Sequence, residues 1–193
     1  MARVVIDPGH GGVDTGAVFG DLLEKDICLA VSKKLSVEFK RRGHVQLITR
    51  SGDYALALNR RAQLANIWSG SVFVSIHTNA DRDPDGADDP EAHGSEIWIY
   101  PGSVKGRRLA QAIADQVPKH FPGRKFRGIK EANFAVLRRT AMPAVLVELA
   151  FIDTEKSWLM LVQGLQLEIA RCIADGVEDY LKGEGNVGDS VGN

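Results

Sequence analysis

The chain of 193 residues has no apolar stretch approaching the ~20 residues a membrane-spanning helix needs, so membrane insertion is not expected. Cysteine is scarce. The two present, Cys28 and Cys172, fall at apolar positions of predicted helices and read as buried free thiols. A disulfide framework is thereby excluded. Without CxxC or Cys/His pairs at zinc spacing, so is a cysteine-built zinc module. Excess charge of one sign is missing as well. The formal net charge is -1, which gives no electrostatic case for nucleic acid or an anionic lipid surface as a partner. The first residues, "ARVVIDPGHGG", enter a strand pattern without the basic region, apolar core and cleavage site of a signal peptide. The expectation is synthesis in the cytoplasm followed by release, or a chain expressed without its leader.

Short apolar runs alternate with helical patterns. "RVVID" (3–7) reads as a buried strand, and 26–42 as a helix with Cys28, Val31, Leu35 and Phe39 on one face. A strand at 44–50, a helix at 56–68 and a strand at 71–77 follow. The segment "ADRDPDGADDPEAH" (80–93) is acidic and carries Pro84, Gly86 and Pro90, which predicts a loop. Beyond it come a strand at 95–100, a helix at 103–120 capped by Ser103, and strands at 133–139 and 143–151. A last helix at 154–182 has Trp158, Val162, Leu165, Ile169, Ile173 and Val177 on its buried face. This order predicts one α/β layered domain over 1–182: a central, mostly parallel, twisted sheet of about six strands with helices on both faces. The end "GEGNVGDSVGN" (183–193) reads as a flexible linker or tail leading to an absent second domain.

Polar groups sit at or near the carboxyl ends of otherwise apolar strands, where α/β folds gather their sites. His10 lies just past the first strand, bared by flanking glycines. His77 ends "VFVSIH", and Glu148 lies near the end of "AVLVE". Glu24, at the start of the first helix, could turn back toward His10. A phosphate cradle would need GxxxxGK[ST], or GxGxxG opening directly into a helix, and "DPGHGGVDTG" is neither. Two histidines and a glutamate would make a three-ligand zinc set with a fourth position for water, and Glu148 is available as general base. The residues alone leave a metal centre and ordinary, satisfied histidines equally open. His44, His93 and His120 read as the latter, His120 facing the carbonyls at its helix end.

Taken together, "VVIDPGHGGVDTGA", "EKD" at 24–26, "TR" at 49–50, Leu58, Arg61, Ala65 and Asn66, "VSIHTNA" at 74–80, "GSEIWIY" at 94–100 and "MPAVLVELAFIDTEKSWLM" at 142–160 strongly resemble the type 3 family of zinc-dependent N-acetylmuramoyl-L-alanine amidases. The blocks run from residue 3 to about 182, in the family's order. The resemblance implies one zinc per chain on His10, Glu24 and His77, with Glu148 as the catalytic glutamate. It implies peptidoglycan as partner and substrate, cut at the amide between the lactyl group of N-acetylmuramic acid and L-alanine. A phage endolysin or an autolysin catalytic domain acting on the bacterial cell wall as a monomer is expected. A zinc peptidase or carboxypeptidase on another substrate, or a non-catalytic wall-binding module, are the alternatives.

Ala150 stands where the family usually has glycine, which bears only on local contacts. Some members plug the zinc site with a helix inserted after "SIHxNA". Here Pro84, Gly86 and Pro90 disfavour a helix, so no self-inhibition is expected. Asp81, Asp83, Asp85 and Gly86 begin a calcium-loop pattern, but Ala92 stands where its final glutamate belongs, with Glu91 one place early, so a solvated acidic loop is preferred. Asp7 and Asp14 either brace the ligands or stabilise turns. Asn79 is a candidate donor to the substrate peptide, and Arg50 and Arg61 read as structural, pairing with acids such as Asp53.

Overall fold

A computed structural model describes residues 1–81, 92–155 and 163–188. Its elements, in chain order, are β1 (Arg3–Pro8), β2 (Val18–Phe19), β3 (Leu22–Leu23), α1 (Glu24–Arg41), β4 (Val45–Ile48), α2 (Leu58–Ile67), β5 (Val72–Asn79), β6 (Ser95–Ile99), α3 (Val104–Ala114), α4 (Val117–His120), β7 (Phe126–Glu131), α5 (Ala135–Arg139), β8 (Ala144–Phe151) and α6 (Gln163–Gly188). Six strands form one sheet in the order β4-β1-β5-β8-β6-β7, and β2 and β3 form a separate small ribbon. All neighbours in the large sheet are parallel except β6 and β8. The expected mostly parallel, six-stranded α/β layer is the observed architecture.

Central strands covered on both sides are apolar throughout, because alternate side chains enter different cores. Val4, Ile6, Val74, Ile76, Val145 and Val147 pack with Val31, Leu35 and Phe39 of α1, Leu109 and Ile113 of α3, and Ile169, Ile173 and Val177 of α6. Their neighbours Val5, Phe73, Ala144 and Leu146 face the opposite side, against Ala65 of α2 and Val136 and Leu137 of α5. The second cover is small. Beyond it the same face carries Asp7, Ser75 and Glu96, all buried, and the partly exposed His77 and Glu148.

Two predicted elements need correction, and one strand was not predicted. The apolar run in 133–139 is not a strand: residues 135–139 form the short helix α5, with Val136 and Leu137 buried and Arg138 and Arg139 in its last turn. So short an apolar run carries no period that separates the two states. The sixth strand is β7 instead, an edge strand that is half-buried along nearly its whole length and so lacks the apolar signature. The helix predicted at 103–120 stops at Ala114 and restarts as α4, with Pro118 in its first turn, where proline's missing N–H costs nothing. The Ser103 cap is present, its Oγ accepting from Gly106 N at 3.1 Å.

Helix α6 runs on to Gly188, into the stretch read as a tail. Trp158, Val162 and residues 189–193 lie outside the described residues, as do 82–91, on which the calcium and self-inhibition expectations rest. Cys28 and Cys172 are buried free thiols. His120 does not face its own helix carbonyls. Its ring bonds Glu168 and Asp175 of α6 at 2.6 and 2.8 Å. Among the described residues no helix is long and apolar enough to cross a membrane.

Candidate metal centre

Strand β1 stops at Pro8, and the chain turns through Gly9 into His10. His10 is held at φ 57°, a left-handed conformation rare for a residue with a side chain. A Cβ at Gly9 would lie 2.4 Å from the His77 ring, so only glycine lets the turn pass this close to β5. Glu24 is the first residue of α1, where the free backbone N–H groups favour a carboxylate. The ribbon β2–β3 folds back so that Ala17 N donates to Glu24 Oε2 at 2.8 Å, while Thr78 N of β5 donates to Oε1 at 3.0 Å.

The carboxylate of Glu24 lies between two imidazoles. Its Oε2 is 3.1 Å from His10 Nε2, and its Oε1 is 3.0 Å from His77 Nδ1. One ligand atom from each of His10, Glu24 and His77 lies within 4.8 Å of the others. Asp14 Oδ1 holds the far nitrogen of His10, Nδ1, at 2.9 Å, which turns Nε2 toward Glu24. Burial disfavours the charge on Glu24, yet the hydrogen bonds from His10 and His77 outweigh it and hold the carboxyl far below its usual range. For His10, burial pulls downward and the Glu24 and Asp14 carboxylates more than reverse it. Two imidazole nitrogens and a buried, ionised carboxylate are the donor types that zinc takes. The residues present fit such an ion.

Glu148 enters from β8, in register between His77 of β5 and Glu96 of β6. Its Oε2 is shut off from solvent and has no hydrogen-bond partner among the described residues. Burial chiefly pushes this carboxyl up to about 7. The positive character of His77 works against the rise, and Glu24 and Glu96 add to it. Glu148 lines one cleft with His10, Glu24, His77 and Asn79, walled by Val18, Leu58 and Phe134.

The loop bearing His10 is clamped from beneath by two buried arginines. Arg50 spends its donors on four carbonyls: Pro8 at 3.2 Å, Gly9 at 2.6 Å, Lys25 at 2.7 Å and Gly52 at 3.1 Å. Arg61 donates to His10 O at 2.6 Å, to Asp7 Oδ1 at 3.0 Å and to Pro8 O. Asp7 also accepts from Thr49 and Ser75, so it anchors this cluster rather than touching the ligands. The expected pairing of these arginines with acids holds for Arg61, with Asp7, whereas other groups hold Asp53. Lys25 Nζ binds its Oδ2 at 2.8 Å, and Gly12 N its Oδ1 at 2.7 Å. Glu96, given no role from sequence, is buried beside the cleft and bonded to Asn79 at 3.0 Å. Its signal was a glutamate alternating with apolar residues in a strand.

The family model for N-acetylmuramoyl-L-alanine amidase matches residues 4–179. The amidase LytC of Bacillus subtilis is 32% identical over 182 residues, which cover 93% of this chain and 35% of LytC. The endolysin of Bacillus phage SPP1 is 36% identical over 191 residues, covering 94% of this chain and 67% of that protein. This chain thus spans about a third of one relative and two thirds of the other. The crystal structure of an N-acetylmuramoyl-L-alanine amidase from Clostridium difficile 630 superposes with a TM-score of 0.86 at 35% identity, covering 94% of this chain and 97% of that one. With the family model spanning nearly all of its length, this chain belongs to the N-acetylmuramoyl-L-alanine amidase family.

Proposed function

We propose that the chain is a zinc-dependent peptidoglycan hydrolase that cuts the amide between the lactyl group of N-acetylmuramic acid and L-alanine of the stem peptide. His10, Glu24 and His77 would hold one zinc, which when bound polarises a scissile carbonyl and acidifies water beside it. Glu148 does the proton work. Its carboxylate takes the proton from the attacking water at Oε2 and passes it to the departing L-alanine nitrogen. Burial leaves Oε2 without a competing donor, so the carboxylate is free to accept that proton. Val18, Leu58 and Phe134 offer apolar contact to the substrate along the cleft, and Asn79 is a donor for its peptide.

The observation that carries this reading is the solvent-excluded, unpartnered Oε2 of Glu148 in the same cleft as the His10–Glu24–His77 set. A purely structural carboxylate at that depth would have donors. The test pairs elemental analysis with digestion of purified sacculi by wild type and Glu148→Ala. About one zinc in both proteins, with new N-terminal alanine released by wild type alone, supports the reading. Absence of zinc, or equal digestion by the variant, overturns it.

A further inference from the structure

Glu96 is 1% exposed and lies across from Glu148 on the neighbouring strand. A carboxylate at this depth needs donors, and Glu96 has four. Its Oε1 accepts from Asn79 Nδ2 and from Trp98 Nε1, each at 3.0 Å. Its Oε2 accepts from Arg127 Nε at 3.1 Å and Lys130 Nζ at 2.5 Å, both from edge strand β7. Lys130 also lies 5.2 Å from the centre of the Trp98 ring, so the cluster is braced on its outer side. Arginine, lysine and the indole N–H are donors only.

A carboxylate that accepts from these groups offers Asn79 an acceptor as well. That leaves the Asn79 carboxamide one orientation. Nδ2 points to Glu96, and Oδ1 accepts from Ala80 N at 2.9 Å. An asparagine held only by water interconverts between two nearly isosteric orientations, one of which would turn an oxygen toward a substrate carbonyl. Here Glu96 removes that choice. Glu96 takes one of the two Nδ2 hydrogens, and Asn79 lines the cleft beside His77 and Glu148.

We infer that Glu96 is a positioning residue, fixing Asn79 so that its second N–H donates to a carbonyl oxygen of the bound stem peptide beside the scissile amide. The inference rests on the amidase reading above and adds to it the groups that orient the peptide. Its ligand is an acceptor, here a peptide carbonyl, and not an ammonium group, which can only donate.

The experiment measures KM and kcat on a soluble, uncrosslinked muramoyl-peptide fragment, with zinc per chain determined for each protein. The variants are Asn79→Ala, Glu96→Gln and the pair combined. Asn79→Ala is expected to raise KM about tenfold, with kcat within about threefold and zinc content as in wild type. Glu96→Gln is expected to move KM in the same direction. The double variant should be no worse than Asn79→Ala, since Glu96 acts through Asn79. Wild-type KM in Asn79→Ala, or in a folded Glu96→Gln protein, overturns the inference, as do effects that multiply in the double variant. The 15N relaxation of the Asn79 side-chain amide in wild type gives the same decision without a Glu96 variant. Backbone-like order supports a fixed carboxamide, and fast internal freedom overturns it. Wild type that binds zinc but leaves the fragment uncut sinks the amidase reading and this inference together.

Discussion

Arg61 donates to the backbone carbonyl of His10 at 2.6 Å across 51 residues of sequence, and so ties the loop that presents one imidazole to helix α2. The same guanidinium bonds Asp7 and Pro8, which fixes it as a planar bracket under the turn. Lysine offers a point charge and no fork. Arg61→Lys should therefore fold yet bind zinc about 10- to 100-fold more weakly, by the size of effect typical of groups that orient ligands from behind. Competition with a chromophoric chelator reads this directly, and unchanged affinity would show that the bracket is dispensable.

Gly16 and Gly123 separate backbone strain from crowding. Their φ values are +66° and +80°, so alanine is strained at both. At Gly123 a Cβ meets nothing within 4 Å, whereas at Gly16 it would lie 2.5 Å from Glu24 Oε2 and 2.6 Å from His10 Cδ2. Each alanine variant should lose about 1 kcal/mol of stability from the backbone. Only Gly16→Ala should lose zinc binding and hydrolysis. Retention of full zinc affinity in Gly16→Ala would refute the tight approach of the loop to Glu24.

Glu148 makes a pH prediction for the metal-free protein. Its folded-state pKa of about 7 is raised above the ordinary 4.5. A raised acid stabilises the fold below the lower value, and that contribution is lost as pH rises through about 7. Glu148→Gln carries no such loss. Relative to wild type, the variant should gain roughly 1–3 kcal/mol in unfolding free energy between pH 4.5 and pH 8. Denaturant titrations at the two pH values test it, and a difference that does not change with pH counts against the buried carboxyl.

Metal removal should act on stability as well as on activity. The three donors lie within 4.8 Å of one another only because β1, α1 and β5 are in place, so an ion held by all three would bind the folded chain preferentially. Zinc at about a hundredfold over its dissociation constant should add about 2.7 kcal/mol. Thermal unfolding with a chelator and then with added zinc measures the shift. The same unfolding temperature in both conditions would mean that the ion does not use this preformed set.

The convergence of His10, His77 and Glu148 was legible because polar residues at or near the ends of apolar strands have one side of an α/β sheet to share. Glu24 was legible from its place at a helix start. The arginine clamps were not. Arg50 and Arg61 bind backbone carbonyls, which every residue carries, so no sequence pattern distinguishes their targets. Nor was the bond between Glu96 and Asn79, because β6 meets β8 antiparallel inside an otherwise parallel sheet and the register is a tertiary outcome. Strand β7 was missed and helix α5 misread for a related reason. Each is five or six residues long, and position in the fold, more than local pattern, decides the state of so short a segment.

Strand β8 occupies a central place in the sheet although it is the last strand of the chain. It pairs with β5, bringing Glu148 alongside His77. A growing chain on the ribosome therefore carries His10, Glu24 and His77 well before Glu148 exists, and must insert β8 between β5 and β6 to finish. Insertion of a central strand is a non-local step, paid in loop-closure entropy before its contacts form. On the proposed reading, hydrolytic competence is the last thing the fold acquires, and a chain interrupted before β8 would be a metal cup without chemistry.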